Sequence, residues 1–487
     1  YGNNTEELVG RAKHIIRTML EEGYISKREA LAALKQDFLK KIKPRRENIL
    51  APHFVLWVRE QLVEKYGEDF VERGGLKVTT TLDWNLQQIA EEEVRQGAER
   101  NEPTYKAKNA ALVAQDPRTG QILAMVGSRD YFDETVDGNV NVTLRPRQPG
   151  SSFKPIVYAA AFEKGFTPET LLWDVVTTFK VFPKDYEPHN YDDQEHCLLP
   201  MRRALAGSLN IPAVKTIYLT GIERVLDLAE KLGYTTFSDR SRFGLSLVLG
   251  GGEVKLLEHV GAFATLANDG KHLPQSAILR IEDASGRLLE EWQSTEGEPV
   301  LPTVIVRELI SILSDNNARA FIFGPRSPLI LADRPVAAKT GTTNDWHDGW
   351  TLGFTPSLTV GVWVGNNDNT AMKRGSDGVL IAAPIWNGFM SRALKDKPLE
   401  EFLRPQPRAV VNPLLRGQGL DSENPHSELY YLDKNDLAAP APQDQSTDPN
   451  FSTWEQAVSR YAQEHNLLPT SSTTLPPILP SPTTPIP

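Results

Sequence analysis

Three short stretches place hydroxyls and amines where acyl transfer could use them. The first, Gln148-Pro149-Gly150-Ser151-Ser152-Phe153-Lys154-Pro155, sets two serines and a lysine just after a Pro-Gly breaker. Pro155 is tolerated near a helix start, where its missing N–H is not needed. The following KPIVYAAAFEKG reads as a helix with alanines at its centre. Ser151 is therefore expected at a helix N-terminus, where backbone N–H groups and the helix dipole favour developing negative charge. Lys154 falls three residues on, on the same face. As an ammonium it would lower the serine pKa; as an amine it would take the serine proton. Ser152 has Pro155 at its own i+3 position, so the spacing selects Ser151 and leaves Ser152 as a helix-start hydroxyl. A serine N-cap followed by a surface lysine has the same spelling, so this stretch alone does not decide.

The second stretch, GSLNIPAV, holds Ser208 and Asn210 between a helix-like run and Pro212. By itself it also reads as a capped loop. The third, RPVAAKTGTTNDWHDGW, puts Lys339 at a strand end, followed by Thr340, Gly341, Thr342 and Thr343. Glycine there gives a strand edge that a ligand backbone can approach closely, and Lys339 with its threonines could bind a carboxylate. A phosphate loop is poorly supported, because no glycine stands four residues before a Gly-Lys pair. The triple glycine of GLSLVLGGGEVK (244–255) lacks the Gly-x-Gly-x-x-Gly spacing of a dinucleotide loop and reads as a tight turn before a helix. His347 has no second His or Cys at ligand spacing, so no metal is expected. Asp345 and Asp348 beside it read first as structural hydrogen-bonding groups and second as sites for an acceptor amine.

The elements that must position these residues alternate along the chain. Residues 1–39 carry helical periodicity, with Ser26 and Glu29 spelling a capping box. KKIKPRR (40–46) is a basic, Pro-broken joint, and residues 40–108 read as a linker region containing helices and the strand GLKVTTTLD (75–83). NAALVAQDPRTGQILAMVGS is strand, turn and strand, the DPRTG turn resting on Pro and Gly backbone preferences. A long, mostly helical region runs to about residue 320, and strands return in RPVAAKTGTT, TLGFTPS and LTVGVWVG. Strands on both sides of a helical block imply an α+β domain whose sheet is built from both chain ends. Residues 406–487 are rich in Pro, Ser and Thr and read as a mostly disordered tail; within it WEQAVSRYAQEHNLL (454–468) could form one helix.

Bulk properties narrow the class. The 487 residues carry a net charge of −10, which argues against nucleic acid as a partner. The lone Cys197 allows no intrachain disulfide framework. No apolar run approaches the ~18 residues that span a bilayer. The first residue is Tyr rather than Met, so the chain reads as a fragment or processed form, and any membrane anchor is expected upstream of it.

Taken together and in this order, Ser-x-x-Lys, Ser-x-Asn and Lys-Thr-Gly resemble the triple of penicillin-binding proteins and their β-lactamase relatives. NAALVAQDPRTGQILAMVGS, RQPGSSFKP, LVLGGGEVKLLEHVGAFATLANDG, AAKTGTTNDWHDGW and the entry segments APHFVLWVREQLVEKYG and GLKVTTTLDWNLQ are similar to class A members, over residues 1 to about 400. The resemblance implies an α+β transpeptidase domain at 109–405, with an antiparallel sheet flanked by helices and an all-helical subdomain. It makes residues 1–39 the end of a glycosyltransferase domain whose catalytic glutamates are absent, so no glycan polymerisation is expected. It implies a D,D-transpeptidase for D-Ala-D-Ala stem peptides, acylated by β-lactams, with carboxypeptidase activity as a secondary reaction. Ser151 would attack, Lys154 would be the acylation base, and Ser208 would relay a proton to the leaving amine. Asn210 would bond the substrate amide or hold Lys154, and Lys339, Thr340 and Thr342 would bind the terminal carboxylate. Gly341 and Thr343 complete the substrate-binding strand, with an oxyanion hole from the backbone N–H groups of Ser151 and Thr342 and no cofactor. The resemblance also implies the extracytoplasmic face of the bacterial cell envelope, with other cell-wall synthesis proteins as partners. A hydrolase on the same fold and a non-catalytic β-lactam sensor are the competing readings.

Overall fold

The computed structural model describes residues 5–36, 49–418 and 424–467. They divide into two compact units, Tyr1–Leu50 and Ala51–Pro487. In the first, α1 (Thr5–Glu21) and α2 (Lys27–Leu34) form a helical pair. The expected capping box is present: Ser26 Oγ accepts from the Glu29 N–H, and the Glu29 carboxylate accepts from the Ser26 N–H. The basic joint at 40–46 lies outside the described residues.

The second unit opens with α3 (Pro52–Tyr66), α4 (Glu68–Arg73), β1 (Lys77–Thr80) and α5 (Trp84–Tyr105). These elements correct the linker expectation. α5 packs on β2 (Asn109–Gln115) and β3 (Ile122–Val126), so residues 51–108 are part of the folded unit rather than a spacer. After a 3₁₀ turn at Gly150–Phe153, α6 (Lys154–Lys164) leads to β4 (Leu171–Asp174), β5 (Cys197–Pro200), α7 (Met201–Ala206), α8 (Asn210–Thr220) and α9 (Ile222–Lys231). α10 (Leu256–Ala267) is followed by β6 (Lys271–His272), β7 (Ile278–Glu282), β8 (Leu288–Glu291) and β9 (Glu298–Pro299), then α11 (Thr303–Leu313) and α12 (Asn316–Phe323). The stretch expected to be mostly helical thus also holds six strands. β7 joins β1 and β8 in a three-stranded sheet.

The chain returns in β10 (Ala337–Thr342), β11 (Asp348–Thr355) and β12 (Leu358–Gly365), then α13 (Gly378–Ile381) and α14 (Ala383–Ala393). The central sheet has the order β10-β11-β12-β2-β3, antiparallel throughout. It is built from both ends of the domain, as the sequence implies. α10 covers one face and α5 with α14 the other. Every residue of β2, β11 and β12 is therefore buried, which is why NAALVAQ and LTVGVWVG run apolar without alternation. α6 is buried from Lys154 to Phe162, and its alanines let α8 pack closely beside it. A helix apolar all round belongs in a core, and this one forms the centre of the helical side.

The tail expectation is corrected over part of its length. α15 (Glu428–Tyr431) and α16 (Phe451–Glu464) are folded. Trp454, Ala457, Val458, Tyr461 and Ala462 form a buried stripe at helical spacing. α16 falls where WEQAVSRYAQEHNLL (454–468) reads as one helix, while composition averaged over 406–487 gives no sign that it is folded into the unit. Residues 468–487 lie outside the described residues.

Candidate active site

The three motifs meet around one cleft of about 640 Å³, lined by Ser151, Ser208, Asn210, Thr340, Thr342 and Thr343 among others. Ser151 sits within the 3₁₀ turn, and the α-helix starts at Lys154 with Pro155 in its first turn. The serine thus precedes the helix by one tight turn instead of capping it. Gly150 has φ +55°, and a Cβ there would meet Thr342 O at 2.4 Å. A Cβ on Gly341 would meet Pro149 O at 2.1 Å. The two glycines let the serine turn press against β10. The close approach expected of a ligand at Gly341 is made by the chain's own Pro149–Ser152 turn.

Lys154 is fully buried. Its Nζ donates to Ser208 O at 2.6 Å, Leu209 O at 3.0 Å and Asn210 Oδ1 at 2.8 Å, with Ser208 Oγ at 3.5 Å. Among the described residues no hydrogen bond joins it to Ser151. Burial and the nearby Lys339 hold its pKa well below the ordinary lysine value, while three acceptors match the three protons of an ammonium. Asn210 opens α8 and acts on the lysine, with its Nδ2 donating to His189 O at 2.9 Å.

Ser208 adopts φ +60°, an uncommon conformation for a residue with a side chain. Its hydroxyl accepts from Lys339 Nζ at 2.7 Å. Lys339 also donates to Thr340 O at 2.8 Å. Burial, and secondarily the Arg319 guanidinium, push the Lys339 pKa down to about 7. The two lysines are thus bridged through Ser208, between the helical side and the sheet. Thr340 and Thr342 line the cleft, and Thr342 Oγ1 accepts from the Gly378 N–H at 2.9 Å. Thr343 lines it too, but its hydroxyl accepts from the His347 and Asp348 amides at 3.2 and 2.9 Å, so it ties the turn. Asp348 is buried and accepts from Trp363 Nε1 at 2.8 Å; Asp345 lines the cleft. His347 Nδ1 lies 2.8 Å from Asn369 O.

Several residues of this site carry no motif. Asn190 Oδ1 accepts from the Asn210 N–H at 2.8 Å, and Asn190 Nδ2 donates to both oxygens of buried Asp174 at 2.8 Å. That pair fixes the start of α8 and sets a carboxylate near Lys154. Tyr191 Oη donates to Asp377 at 2.6 Å at the cleft. Arg319, buried on α12, donates to the carbonyls of Leu313 and Ala338. No spacing rule points to Asn190, Asp174 or Arg319, because each acts on residues brought near only by folding.

The fold resembles solved structures of penicillin-binding protein 1A from Haemophilus influenzae (TM-score 0.64, 22% identity, 82% of this chain and 78% of that one). It also resembles PonA1 from Mycobacterium tuberculosis (TM-score 0.63, 24% identity, 74% of this chain and 99% of that one). PonA1 has also been solved in complex with penicillin V. Residues 110–391 match the family model of the penicillin-binding protein transpeptidase domain. This chain belongs to that family. Penicillin-binding protein 2D of Bacillus subtilis is 33% identical over 411 residues, 81% of this chain and 57% of that protein. Penicillin-binding protein 1A of Aquifex aeolicus is 28% identical over 491 residues, 84% of this chain and 65% of that protein. The chain thus spans less than two thirds of these two relatives. Among the described residues no helix is long and apolar enough to cross a membrane.

Proposed function

We propose that residues 109–405 form a peptidoglycan D,D-transpeptidase working through an acyl-enzyme on Ser151. The observation that carries this is that Ser151 shares the cleft with Ser208, the residue that bridges two buried lysines. Ser151 Oγ attacks the carbonyl carbon of the penultimate D-Ala, and its proton passes to Lys154. Burial and Lys339 favour the neutral amine of Lys154, the form able to take that proton. The oxyanion forms at the backbone N–H groups of Ser151 and Thr342, a stabilisation that is usually a large share of such a barrier. Lys339, Thr340 and Thr342 hold the terminal carboxylate. The C–N bond breaks as the proton moves through Ser208 to the leaving D-Ala amine. An amine of a second stem peptide then attacks the ester carbonyl, its proton passes through Lys154 to Ser151 Oγ as the ester C–O bond breaks, and both residues return to their starting forms.

A β-lactam would follow the first half of this course and remain as a ring-opened ester. Asn210 serves Lys154 rather than the substrate amide, since its Oδ1 already accepts from the lysine. Residues 1–39 would be the end of a glycosyltransferase domain, and no glycan polymerisation is assigned to the residues given. The site would work on the extracytoplasmic face of the bacterial envelope, held by an upstream anchor, beside other cell-wall synthesis proteins.

Labelling with a fluorescent penicillin tests the reading. The protein should retain the label through denaturing electrophoresis, and Ser151→Ala should remove it. A Ser151→Ala protein that labels like the wild type would sink the assignment of the nucleophile. Rapid release of the label with hydrolysed penicillin would instead identify a hydrolase.

A further inference from the structure

Beneath the serine turn lies a buried polar chain whose inner members, His259 and Tyr234, belong to none of the three motif stretches. His259 on α10 is fully enclosed, with the rings of Phe263 and Trp350 edge-on at 5.2 and 5.8 Å. Its Nδ1 lies 2.6 Å from Tyr234 Oη, and its Nε2 lies 2.9 Å from Ser152 Oγ. Ser152 Oγ lies 2.7 Å from Pro149 O.

The direction of the chain follows from what each group can do. Pro149 O only accepts, so the Ser152 hydroxyl donates to it. Ser152 Oγ then accepts from Nε2–H, and Nδ1 accepts from the Tyr234 hydroxyl. Every hydrogen is used once. The opposite tautomer would leave the buried Tyr234 hydroxyl hydrogen without an acceptor among the described residues, which is costly. Burial pushes the His259 pKa down to about 3, so the neutral ring persists across the pH range in which the enzyme would work.

The chain ends where position matters. Pro149 O also accepts from the Ser152 N–H at 3.2 Å and abuts Gly341 of β10. Trp350 Nε1, beside His259, donates to Gln148 O at 2.8 Å. The two carbonyls before Gly150-Ser151 are therefore both held from below. We propose that His259 is a positioning residue for Ser151. Through Ser152 it holds the 149–152 turn against β10, at the height where Ser151 Oγ meets the acyl carbon and the Ser151 N–H meets the acyl oxygen. This rests on the reading of Ser151 as nucleophile.

The test compares second-order acylation rates with a fluorescent penicillin, alongside melting temperatures, in the full chain. His259→Leu keeps the volume and loses the donor, while Ser152→Ala keeps the packing and breaks the chain at the turn. Each should slow acylation by about tenfold to a hundredfold, the scale of a small misplacement of reacting groups. The double variant should be no slower than either single, because both act through one chain. His259→Gln, whose amide nitrogen reaches toward the place of Nε2, should recover most of the rate, even if its melting temperature stays as low as that of His259→Leu. Should His259→Leu fail to fold, Ser152→Ala with Tyr234→Phe decides. Wild-type rates in Ser152→Ala, or losses that multiply in the double variant, would overturn the proposal. If Ser151→Ala still labels, the nucleophile reading fails first and this inference falls with it.

Discussion

Lys154 and Lys215 lie on α6 and α8, neighbouring helices, and both are fully buried. Their surroundings differ. Lys215 donates to both oxygens of Glu428, at 3.2 and 3.1 Å, and sits 4.7 Å from the ring centre of Trp454. Lys154 reaches only neutral oxygens, from Ser208, Leu209 and Asn210. Burial lowers both pKa values, but at Lys215 Glu428 opposes the shift, whereas at Lys154 the nearby charge of Lys339 adds to it by more than the unbonded Asp174 carboxylate takes away. A buried cation with its own carboxylate is part of the framework: it pins the 424–467 segment to α8. A buried cation without one is costly to keep and able to give up its proton, which is what acyl transfer needs.

The sharpest way to break this contrast is Lys154→Met. Acylation by a fluorescent penicillin should fall by about 10²–10⁴-fold, the usual worth of general acid–base catalysis. The melting temperature should change little, since relief of a buried charge without a bonded carboxylate offsets the loss of three hydrogen bonds. A protein that loses stability but keeps its acylation rate would put Lys154 in the framework class. The converse variant, Lys215→Met, should lower stability by about 3–5 kcal/mol by stranding the Glu428 carboxylate, as read by denaturant titration. Acylation by the folded fraction should stay close to wild type. Adding Glu428→Leu should return much of the stability. A harmless single variant would mean that the Lys215–Glu428 pair does not hold the segment.

A smaller effect sharpens the comparison at Lys339. Its folded pKa of about 7 lies below the ordinary lysine value. The ammonium that would hold a carboxylate thus dominates below pH 7, and the amine above it. Acylation by a carboxylate-bearing β-lactam should fall as pH rises through 7, to about a tenth one unit above the pKa. Lys339→Arg keeps its charge and should abolish that alkaline limb. A limb unchanged by Lys339→Arg would place the titration elsewhere.

Much of the site was legible along the chain. The breakers Pro149 and Pro155 bracket the serine turn, and three short patterns in order identify the groups that meet. The wholly apolar β2 and β12 betray a sheet covered on both faces. What escaped has a common cause. Asn190, Asp174, His259 and Arg319 act on partners distant in sequence, and no periodicity encodes such a contact. Composition misled over 406–487 because its many prolines outweigh the local pattern that marks 454–468 as a helix and say nothing of the contacts that bury it. The 40–108 stretch misled because its basic start resembles a spacer, while the packing of α5 on the sheet belongs to tertiary contacts.

The sequence by itself determined which polar side chains gather at the cleft and in which order they come, because helix starts, turns and buried strands are written in local residue types. Only the tertiary structure decided how each acts. It left Lys154 without a bonded carboxylate and gave one to Lys215. It turned Ser208 through a positive φ to bridge two lysines, and set His259 under the serine turn. Those outcomes depend on burial and on distances between residues far apart in the chain, and a local pattern carries neither.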